Sequence, residues 1–558
     1  MEDPNTDSVC RPFTHVDMII DWRAPEVTST WAFHVVELRR RSNFCVKGYS
    51  KCTAGAVPPQ LLKRSECPKT LYCHDMQGGY LEDKYSFGSQ KKDEFQFFRW
   101  SGIDIFVYFT RNLLTVPPLG WINAAHRNGV IVLGTLVSEP GTECIWDLIL
   151  HSDESVDNFA INMASICFYY GFEGYLLNIE HDIVCEKVEL FIYFIETLRR
   201  HLKSIDEDNL LIFYDSLTYP EGRHEYQNVL NDNNWVYFNL TDGIFINYNW
   251  LESYLSSMKE YLNVSPDRVV DVFLGVDVYG RGSQNGEFRT DKTIEKVRKY
   301  GMSVALFAPS WVYESSSNRK EYIQNDYQFW NQCYEHMYIA GTTVLPFQTC
   351  FSIGHGNNYY ENGNIRQAGP WYNLARMAIQ PSETIGYEGY VDNTCMCYYE
   401  LDAYKGGGCL LIKQYEGEPH YDRLFMCDFK VRKNDKLIFK YVSKNNVQGT
   451  DTRLEFLIAY TNEDFQPSTR CITMPKDAPE VMSPDEHIGL WLTHEFVITC
   501  PADISIIEIA LKLVGDRVSE LLLGKLYIDL IQDQPYFDER FRTLRYRPWY
   551  KNISRECI

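Results

Sequence analysis

Gly174-Tyr-Leu-Leu-Asn-Ile-Glu180 decides how this chain folds, together with the residues that follow it. The run is apolar until its last residues, which is typical of a strand buried inside a parallel sheet. Val188–Lys203, just downstream, has apolar residues at helical spacing and a basic end, which suits a helix C-terminus. A strand followed by a helix is the repeating unit of an α/β fold.

The same alternation of an apolar run and a polar, helix-like stretch repeats from about Leu71 to Phe347. It predicts a (β/α)₈ barrel, in which eight parallel strands are surrounded by helices. One run is surplus to eight, and the sequence leaves open which one. The runs are Leu71–His74, Ile103–Phe109, Val130–Thr135, Tyr175–Glu180, Leu210–Asp215, Ile244–Tyr248, Val272–Val278, Val304–Ala308 and Thr342–Phe347.

After Trp371 the pattern changes to short alternating strands, which predicts an antiparallel β-sandwich resembling a jelly roll. Gln380–Gly386 is predicted as the linker between the two parts. We expect an N-terminal segment (1–60) packed on the barrel, the barrel (61–380), the sandwich (387–535) and a tail (536–558). The strand-like runs are Cys409–Lys413, Asp435–Val442, Leu454–Tyr460, Phe496–Thr499, Ile506–Leu513 and Leu521–Ile531.

The net charge of −21 bears on which partners the chain accepts. A polyanion is repelled, so neither nucleic acid nor an anionic membrane surface is expected as a partner. A neutral substrate is compatible with this charge. Aromatic residues make up 15% of the chain, 39 of them tyrosine, which fits either ordinary core packing or stacking on the apolar faces of sugars.

The sequence predicts a cytosolic protein. Met1–Ser8 is polar and acidic and lacks the basic start and apolar stretch of a signal peptide. No apolar run reaches the roughly 18 residues of a transmembrane helix. The 17 cysteines are odd in number and irregularly spaced, which indicates free thiols in a reducing compartment. The sequons at Asn239, Asn263 and Asn552 would then stay unmodified.

No metal site and no cofactor are expected. Cys395-x-Cys397 has no second cysteine pair to complete a zinc site. His74, His126 and His181 lack the spacing of metal ligands, so core or cleft hydrogen bonding is the interpretation for them. Nothing in the sequence indicates an obligate protein partner.

Asn178 and Glu180 are the strongest candidates for chemistry. Catalytic side chains of a barrel lie at the C-terminal ends of its strands. Residues two apart on a strand point to one face, so both side chains are predicted to enter the barrel mouth while Ile179 points to the helical shell. The alternative is a structural ion pair for Glu180, but no Lys or Arg ends a neighbouring run.

The ends of the other runs supply a polar and aromatic surface around this pair. A single aromatic residue there fits packing better than ligand binding, and the clustering of several favours sugar binding. We predict that Trp250 and Trp311 stack on sugars, with Trp121, Trp100 and Tyr279 as weaker candidates. The predicted substrate-binding residues are Trp250, Trp311, Tyr248, Asn247, Asp277, Tyr279 and Trp121.

An amide beside a lone carboxylic acid indicates a substrate-assisted glycosidase. Most glycosidases use two carboxylates, but Asn178 cannot act as a nucleophile. It can hold a 2-acetamido group so that the carbonyl oxygen of that group attacks the anomeric carbon. Glu180 would protonate the leaving oxygen and later deprotonate water, with Tyr214 near the anomeric centre. This predicts an N-acetylglucosamine at the cleaved position and retention of configuration.

From Cys73 to Tyr372 the chain resembles the cytosolic endo-β-N-acetylglucosaminidases of glycoside hydrolase family 85. The family's catalytic Asn and Glu fall on Asn178 and Glu180, its active-site Tyr falls on Tyr214, and Trp250 falls near an aromatic residue that contacts substrate. The matching segments, in order, are Cys73–Tyr80, Val107–Phe109, Gly120–Asn123, Leu177–Glu180, Tyr214–Ser216, Asn247–Trp250, Gly275–Val278 with Arg281-Gly282, Ala305–Pro309 with Trp311–Glu314, and Gly369–Tyr372.

The resemblance implies cleavage between the two N-acetylglucosamines of the N-glycan core, with transglycosylation as a further activity. It implies N-glycans on glycoproteins, or free oligosaccharides, as substrates in the cytosol. Near the C-terminus, Gly524–Ile528 resembles the last strand of a carbohydrate-binding jelly roll.

Two other functions remain open at this point. A non-catalytic glycan-binding barrel would need no acid, so the Asn178/Glu180 pair argues against it. A chitinase-like hydrolase of linear N-acetylglucosamine polymers normally carries aspartates ahead of its Glu, whereas Leu176, Leu177 and Asn178 stand there in this chain.

Overall fold

The structure is a computed structural model of the whole chain. It describes residues 8–24, 31, 34–48, 60–281, 285–390, 395–414, 421–445, 452–461, 467–470, 490–500, 502–515 and 519–531. The predicted tail, 536–558, lies outside these residues.

Eight parallel strands form a closed barrel, which confirms the predicted fold. Each strand pairs with the next along the chain, and the last pairs with the first through Val304 and Thr70. The strands are β1 (Thr70–His74), β2 (Ile105–Tyr108), β3 (Ile131–Ser138), β4 (Gly174–Ile179), β5 (Leu210–Tyr214), β6 (Gly243–Ile246), β7 (Val272–Asp277) and β8 (Ser303–Phe307).

Helices cover the outside of the barrel. The predicted helix from Val188 to Lys203 is observed as Val188–Ile205. The helices are α1 (Val16–Ile20), α2 (Leu119–Arg127), α3 (Cys144–Ile149), α4 (Asp153–Tyr170), α5 (Val188–Ile205), α6 (Trp235–Leu240), α7 (Glu252–Tyr261), α8 (Thr290–Lys299), α9 (Trp311–Glu314) and α10 (Arg319–Tyr334).

Local sequence sets the bounds of the unit that carries the candidate pair. Ser152 caps α4 by accepting a hydrogen bond from the Ser155 N–H, and Gly171 ends the helix in the left-handed conformation at φ 77°. Gly174 then opens β4 at φ 130°, where a Cβ would overlap the Leu210 carbonyl oxygen of β5. Glycine is therefore required where β4 and β5 come closest.

Side chains on the barrel strands alternate between two apolar layers. Leu176 points into the barrel with residues such as Ile212 and Phe273, whereas Leu177 and Ile179 pack against the helices. All are almost fully buried, and burial of one such side chain contributes about 1.5–3 kcal/mol. This alternation fixes which residues of β4 face the barrel axis.

The surplus ninth run lies outside the barrel. Of the predicted run Thr342–Phe347, only Phe347 lies in a strand. That strand is Phe347–Thr349, which we name β9, and it pairs antiparallel with Leu526–Ile528 near the C-terminal end of the described chain. Within the predicted run only Phe347 is buried, whereas residues 342–346 are half-buried or exposed. Phe347 is fully buried and packs edge-on against Phe425 with ring centroids 4.9 Å apart.

The C-terminal region consists largely of antiparallel strands. A short sheet contains β10 (His355–Glu361), β11 (Asn364–Tyr372) and β14 (Lys405–Gly406). The larger sheet joins β9 to β12 (Gly386–Tyr387), β13 (Met396–Tyr399), β15 (Cys409–Gln414), β17 (Lys436–Asn445), β20 (Leu492–Thr499) and β22 (Ser519–Ile531).

A further sheet packs against the larger one. Its strand β18 (Arg453–Thr461) carries Phe456. The ring centroid of Phe456 lies 4.9 Å from that of Phe439 on β17, so the two sheets share an apolar layer. The sheet contains β16 (Asp422–Val431), β18 (Arg453–Thr461), β19 (Pro467–Arg470) and β21 (Ile504–Val514).

The stretch predicted as a linker does not run as an exposed connection. Gln380 and Ser382 are 3% and 5% exposed. The Gln380 N–H donates to Asn128 Oδ1 of the barrel, and the Ser382 N–H donates to the Leu424 carbonyl of β16. The segment is therefore part of the packed junction between barrel and sheets.

Two further features concern the length of the helices and the state of the cysteines. Within the described part of the chain, no helix combines the length and apolar character needed to cross a bilayer. Every described cysteine is a free thiol.

A buried arginine joins the junction to the C-terminal sheets. Arg423 is 2% exposed; its Nε donates to Glu508 Oε1 at 3.0 Å and its Nη1 to Glu383 Oε1 at 2.9 Å. Burial raises the pKa of Glu383 to about 7, and the Arg423 charge opposes that rise. Glu508 is 3% exposed, so it depends on Arg423 for its counter-charge.

We expect Arg423→Met to lower the free energy of unfolding by about 3–5 kcal/mol, because two carboxylates lose their buried cation. Arg453→Met is the matched control: its side chain is 51% exposed beside Glu455, and loss of such a pair costs less than about 1 kcal/mol. Urea denaturation of both variants measures the difference. Equal destabilisation would contradict the role given to Arg423.

Candidate active site

A cleft of about 590 Å³ opens at the C-terminal ends of the barrel strands. Barrel enzymes bind and convert substrates at this end. Nearly every strand contributes to the lining, with apolar rings below and polar groups above. The lining residues are Cys73, Asp75, Phe109, Arg111, Glu139, Leu176, Asn178, Glu180, Tyr214, Phe245, Tyr248, Arg281 and Phe307.

Asn178 and Glu180 both line the cleft, side by side along β4. Asn178 lies opposite Val137 in the ladder with β3, and the Glu180 N–H continues that ladder by donating to the Ser138 carbonyl at 2.7 Å. Ile179 between them is fully buried in the outer layer. Among the described residues, nothing hydrogen-bonds the Asn178 side chain, so its amide is available to a ligand.

Glu180 is not held in a salt bridge by any described residue. The two arginines that line the cleft are engaged elsewhere: Arg111 lies 3.6 Å from Glu139, and Arg281 pairs with Asp277. The partner of Glu180 is instead a neutral phenol, since Tyr226 Oη donates to Glu180 Oε1 at 2.7 Å. A half-buried carboxyl group with a neutral partner can take up and release a proton.

Tyr226 reaches Glu180 from the loop that joins β5 to α6, and Asp215 fastens this loop. Asp215 is fully buried; its Oδ1 accepts from the Gln227 N–H and Asn234 Nδ2, and its Oδ2 from the Asn228 and Asn247 N–H groups. Burial raises the pKa of Asp215 to about 7, and the N–H donors oppose the rise. The carboxyl group thus fixes the loop through three bonds and ties it to the end of β6 through the fourth.

Tyr214 presents its phenol to the cleft from the end of β5. Its Oη donates to Asn247 Oδ1 at 2.7 Å, and Asn247 Nδ2 donates to Asn228 Oδ1 at 2.9 Å. Burial raises the pKa of Tyr214 well above its usual value, so the phenol stays protonated. Tyr248 lines the same cleft with its ring centroid 6.3 Å from that of Tyr214. Asn247 lies behind Tyr214 and orients it.

Asp277 and Tyr279 organise the loop after β7. Asp277 is 2% exposed and accepts from Arg281 Nε at 3.0 Å and Nη2 at 3.1 Å. The guanidinium also lies 4.5 Å from the centre of the Tyr279 ring. Asp277 therefore holds Arg281, and it is Arg281 that lines the cleft.

None of the four tryptophans named as candidates from the sequence lies in the cleft lining. Trp250 is 4% exposed, and its Nε1 donates to the Gly275 carbonyl at 2.9 Å. Trp121 on α2 is 1% exposed, donates to Asp83 Oδ2, and lines a separate cavity of about 290 Å³. Trp311 is half-buried and packs edge-on against Phe288 at 5.3 Å. Trp311 thus retains an exposed part of its ring, which Trp250 and Trp121 do not.

Several cleft residues were missed from sequence. Asp75, Arg111 and Glu139 follow β1, β2 and β3 closely, so the strand-end rule applied to the first three strands would have found them. Tyr226 lies in a long loop and carries no comparable signal.

Trp100 is fully buried, with its Nε1 directed to Met377 Sδ. No cluster of three or more metal-ligating side chains occurs among the described residues.

Comparison with known proteins identifies the family. The model of glycosyl hydrolase family 85 matches residues 80–359. The chain belongs to glycosyl hydrolase family 85. This confirms the resemblance drawn from the ordered segments between Cys73 and Tyr372.

Curated relatives support the same assignment. The cytosolic endo-beta-N-acetylglucosaminidase of Homo sapiens is 39% identical over 357 residues, 62% of this chain and 47% of the relative. That of Gallus gallus is 36% identical over 368 residues, 65% of this chain and 49% of the relative. The cytosolic endo-beta-N-acetylglucosaminidase 2 of Arabidopsis thaliana is 33% identical over 401 residues, which are 65% of this chain and 56% of the relative. The chain spans about half the length of these family members.

A solved structure shares the fold over nearly the whole chain. The glycoside hydrolase domain of Endo-D from Streptococcus pneumoniae R6 superposes with a TM-score of 0.72 at 19% identity, covering 94% of this chain and 83% of the domain. Barrel and C-terminal sheets therefore recur together in that domain.

Thiol labelling tests the placement of Cys73 at the cleft floor. Cys73 is fully buried, and burial, reinforced by Asp75, raises the pKa of its thiol well above the usual value. We expect iodoacetamide to alkylate the exposed Cys144 and Cys185 in the folded protein and to leave Cys73 unmodified. Peptide mass spectrometry reads the sites, with denatured protein as control. Rapid labelling of Cys73 in folded protein would refute the placement.

Proposed function

We propose that this protein is an endo-β-N-acetylglucosaminidase that hydrolyses the β-1,4 bond between the two N-acetylglucosamines of the N-glycan core. The observation that carries the proposal is the juxtaposition of Asn178 and Glu180 in the cleft, with the amide unbonded by any described residue and the carboxyl group paired only with a neutral phenol. Membership of family 85 and the names of the curated relatives support it.

The first step forms an oxazolinium ion, which is an oxazoline that keeps its N–H proton, from the substrate's own acetamido group. Its carbonyl oxygen attacks the anomeric carbon, and the glycosidic carbon–oxygen bond breaks with its electron pair on the leaving oxygen. Glu180 gives its proton to that oxygen and becomes a carboxylate. Asn178 accepts from the acetamido N–H through Oδ1, which aligns the attacking oxygen and stabilises the positive charge developing on the ring.

In the second step Glu180 acts as a base instead of an acid. The Glu180 carboxylate takes a proton from water, whose oxygen bonds to the anomeric carbon as the carbon–oxygen bond of the oxazolinium ring breaks. The electron pair returns to the acetamide, and Glu180 regains its proton. Two displacements at one carbon retain the β configuration. A sugar hydroxyl in place of water gives transglycosylation by the same step.

The cleft surface suits a neutral oligosaccharide. Rings of Phe109, Tyr248 and Phe307 offer apolar faces, and the hydroxyl of Tyr214 lies next to the pair for contact near the anomeric centre. Arg281 and Asp75 supply hydrogen-bonding groups on the opposite side of the barrel mouth. The exposed part of Trp311 remains a candidate for stacking on a sugar at the rim.

The wider biology follows from these assignments. We propose N-glycans of glycoproteins or free oligosaccharides as substrates, and the cytosol as the location, which the relatives' names state for those proteins. We also propose that the barrel domain occupies 61–380, with β9 to β11 extending from it into the C-terminal sheets. We propose that the sheets at 387–535 form an accessory glycan-binding region.

Replacement of the acid/base tests the reaction. Glu180→Gln keeps the shape of the side chain and removes its proton chemistry, so we expect hydrolysis of an N-glycopeptide to fall by about 10²- to 10⁴-fold. Glu189→Gln on α5, whose carboxylate lies outside the cleft beside Tyr219, is the control and should keep full activity. Mass spectrometry should show one N-acetylglucosamine left on asparagine. Activity within tenfold of wild type for Glu180→Gln rejects the assignment.

The amide is tested by separating the two steps. Asn178→Ala should lose hydrolysis of the N-glycopeptide by about a hundredfold or more, because the attacking oxygen is no longer aligned. The same variant should still consume a preformed sugar oxazoline, since the ring is already closed. Initial rates on the two substrates measure this. An equal loss on both would show that Asn178 does not act in ring closure.

A further inference from the structure

Tyr226 makes the two oxygens of Glu180 inequivalent. Its phenol donates to Oε1 at 2.7 Å, whereas no described residue hydrogen-bonds Oε2. In a protonated carboxyl group the carbonyl oxygen is a better acceptor than the hydroxyl oxygen, so acceptance on one oxygen favours the proton on the other. The occupied oxygen is therefore Oε1, and the oxygen left to face a substrate is Oε2.

The phenol keeps its proton over the working pH range. Burial and the hydrogen bond to Glu180 raise the pKa of Tyr226 above its usual value. Tyr226 therefore remains a donor whether Glu180 is a carboxylic acid or a carboxylate. A donor favours the carboxylate, because the hydrogen bond to an ionised acceptor is the stronger one.

Packing holds Tyr226 in place from two sides. Its ring packs edge-on against His224 at 4.9 Å and against Tyr214 at 5.9 Å. The next residues, Gln227 and Asn228, donate their backbone N–H groups to the buried Asp215. The phenol is thus set by a loop that is fixed at its base, so little reorganisation is needed during the reaction.

One hydrogen-bonded chain serves both phenols of the site. Asp215 anchors Asn228, and Asn228 Oδ1 accepts from Asn247 Nδ2. Asn247 Oδ1 in turn accepts from Tyr214 Oη. The loop that brings Tyr226 to Glu180 therefore also orients the phenol beside the anomeric centre.

We propose that Tyr226 is a positioning residue that fixes Oε2 of Glu180 as the oxygen that exchanges the proton in both steps. The inference rests on the proposed function. In the first step the Oε2–H bond breaks and its proton passes to the glycosidic oxygen, leaving a carboxylate that still accepts from Tyr226 on Oε1. In the second step a proton from water forms the Oε2–H bond again, so the acid is restored in the same orientation.

Other charged groups face Glu180 across the cleft, and the test leaves them unchanged. Phenylalanine at 226 removes a neutral hydroxyl and keeps the ring, so the net charge of the site is the same. Any movement of the pH profile then reports the lost hydrogen bond. The titratable and charged groups lining the cleft are Cys73 and Asp75 on the β1 side, Arg111, Glu139, Tyr214, Tyr248 and Arg281, with His224 and Asp215 behind Tyr226.

Two pH profiles of Tyr226→Phe test the proposal. Hydrolysis of an N-glycopeptide requires the acid form of Glu180, so kcat/KM falls on the alkaline side as that form is lost. Hydrolysis of a preformed sugar oxazoline requires the carboxylate, so its rate falls on the acid side. Loss of a hydrogen bond that favours the carboxylate should move both limbs to higher pH, by about one unit.

Tyr193→Phe is the matched control. Its phenol donates to Asp157 Oδ1 at 2.8 Å, a bond of the same kind between α5 and α4, outside the cleft. It should leave both limbs where they are in the wild type. If Tyr226→Phe lowers the rates and moves neither limb, Tyr226 supports only the local packing and the inference is overturned.

Glu180→Gln separates this inference from the proposed function. If wild type cleaves the glycopeptide, Glu180→Gln does not, and the limbs of Tyr226→Phe stay unmoved, the endoglycosidase assignment stands and the positioning role fails. If Glu180→Gln is as active as wild type, the proposed function fails together with the inference. Movement of both limbs of the Tyr226→Phe pH profiles by the same amount supports the endoglycosidase assignment and the positioning role of Tyr226.

Discussion

The period of two along β4 is the constraint on which the site depends. Asn178 and Glu180 share a face because one residue separates them, and Ile179 between them is fully buried in the outer apolar layer. A slip of one residue against β3 would put the amide and the carboxyl group into the helical shell and the isoleucine into the cleft. The pairing of Asn178 with Val137, and the glycine that lets β4 approach β5, therefore place the amide and the carboxyl group in the cleft.

Around this pair, the barrel mouth contains two kinds of polar group. Some are buried and fix the structure of the loops, and others have no hydrogen-bond partner among the described residues. Three buried side chains form hydrogen bonds with other groups of the protein: Asp215, Asn247 and Asp277. The Asn178 amide and Glu180 Oε2 have no such partner among the described residues. Because the buried groups are already in place, the site needs little rearrangement in the proposed reaction, which is the condition for electrostatic stabilisation of a transition state.

Local patterns in the sequence were sufficient for the barrel and for the central pair. Apolar runs indicate buried strands, and the strand period indicates which residues share a face. The position of Asn178 and Glu180 at the barrel mouth could therefore be predicted without knowledge of distant contacts. The features that were not found depend on distant contacts. Phe347–Thr349 pairs with a strand about 180 residues further along the chain. Tyr226 reaches Glu180 from a loop, and the indole of Trp250 is directed to the Gly275 carbonyl of a different strand.

The stereochemistry of the first product tests the account most directly. Proton NMR of an N-glycan digest, recorded before mutarotation, shows which anomer forms at the new reducing-end N-acetylglucosamine. Two displacements through an oxazoline predict the β-anomer first, with the α-anomer growing in later. An α-anomer at the earliest time points would mean that water attacks directly from the opposite face, and the assignment of Asn178 as the amide that directs an internal nucleophile would be wrong.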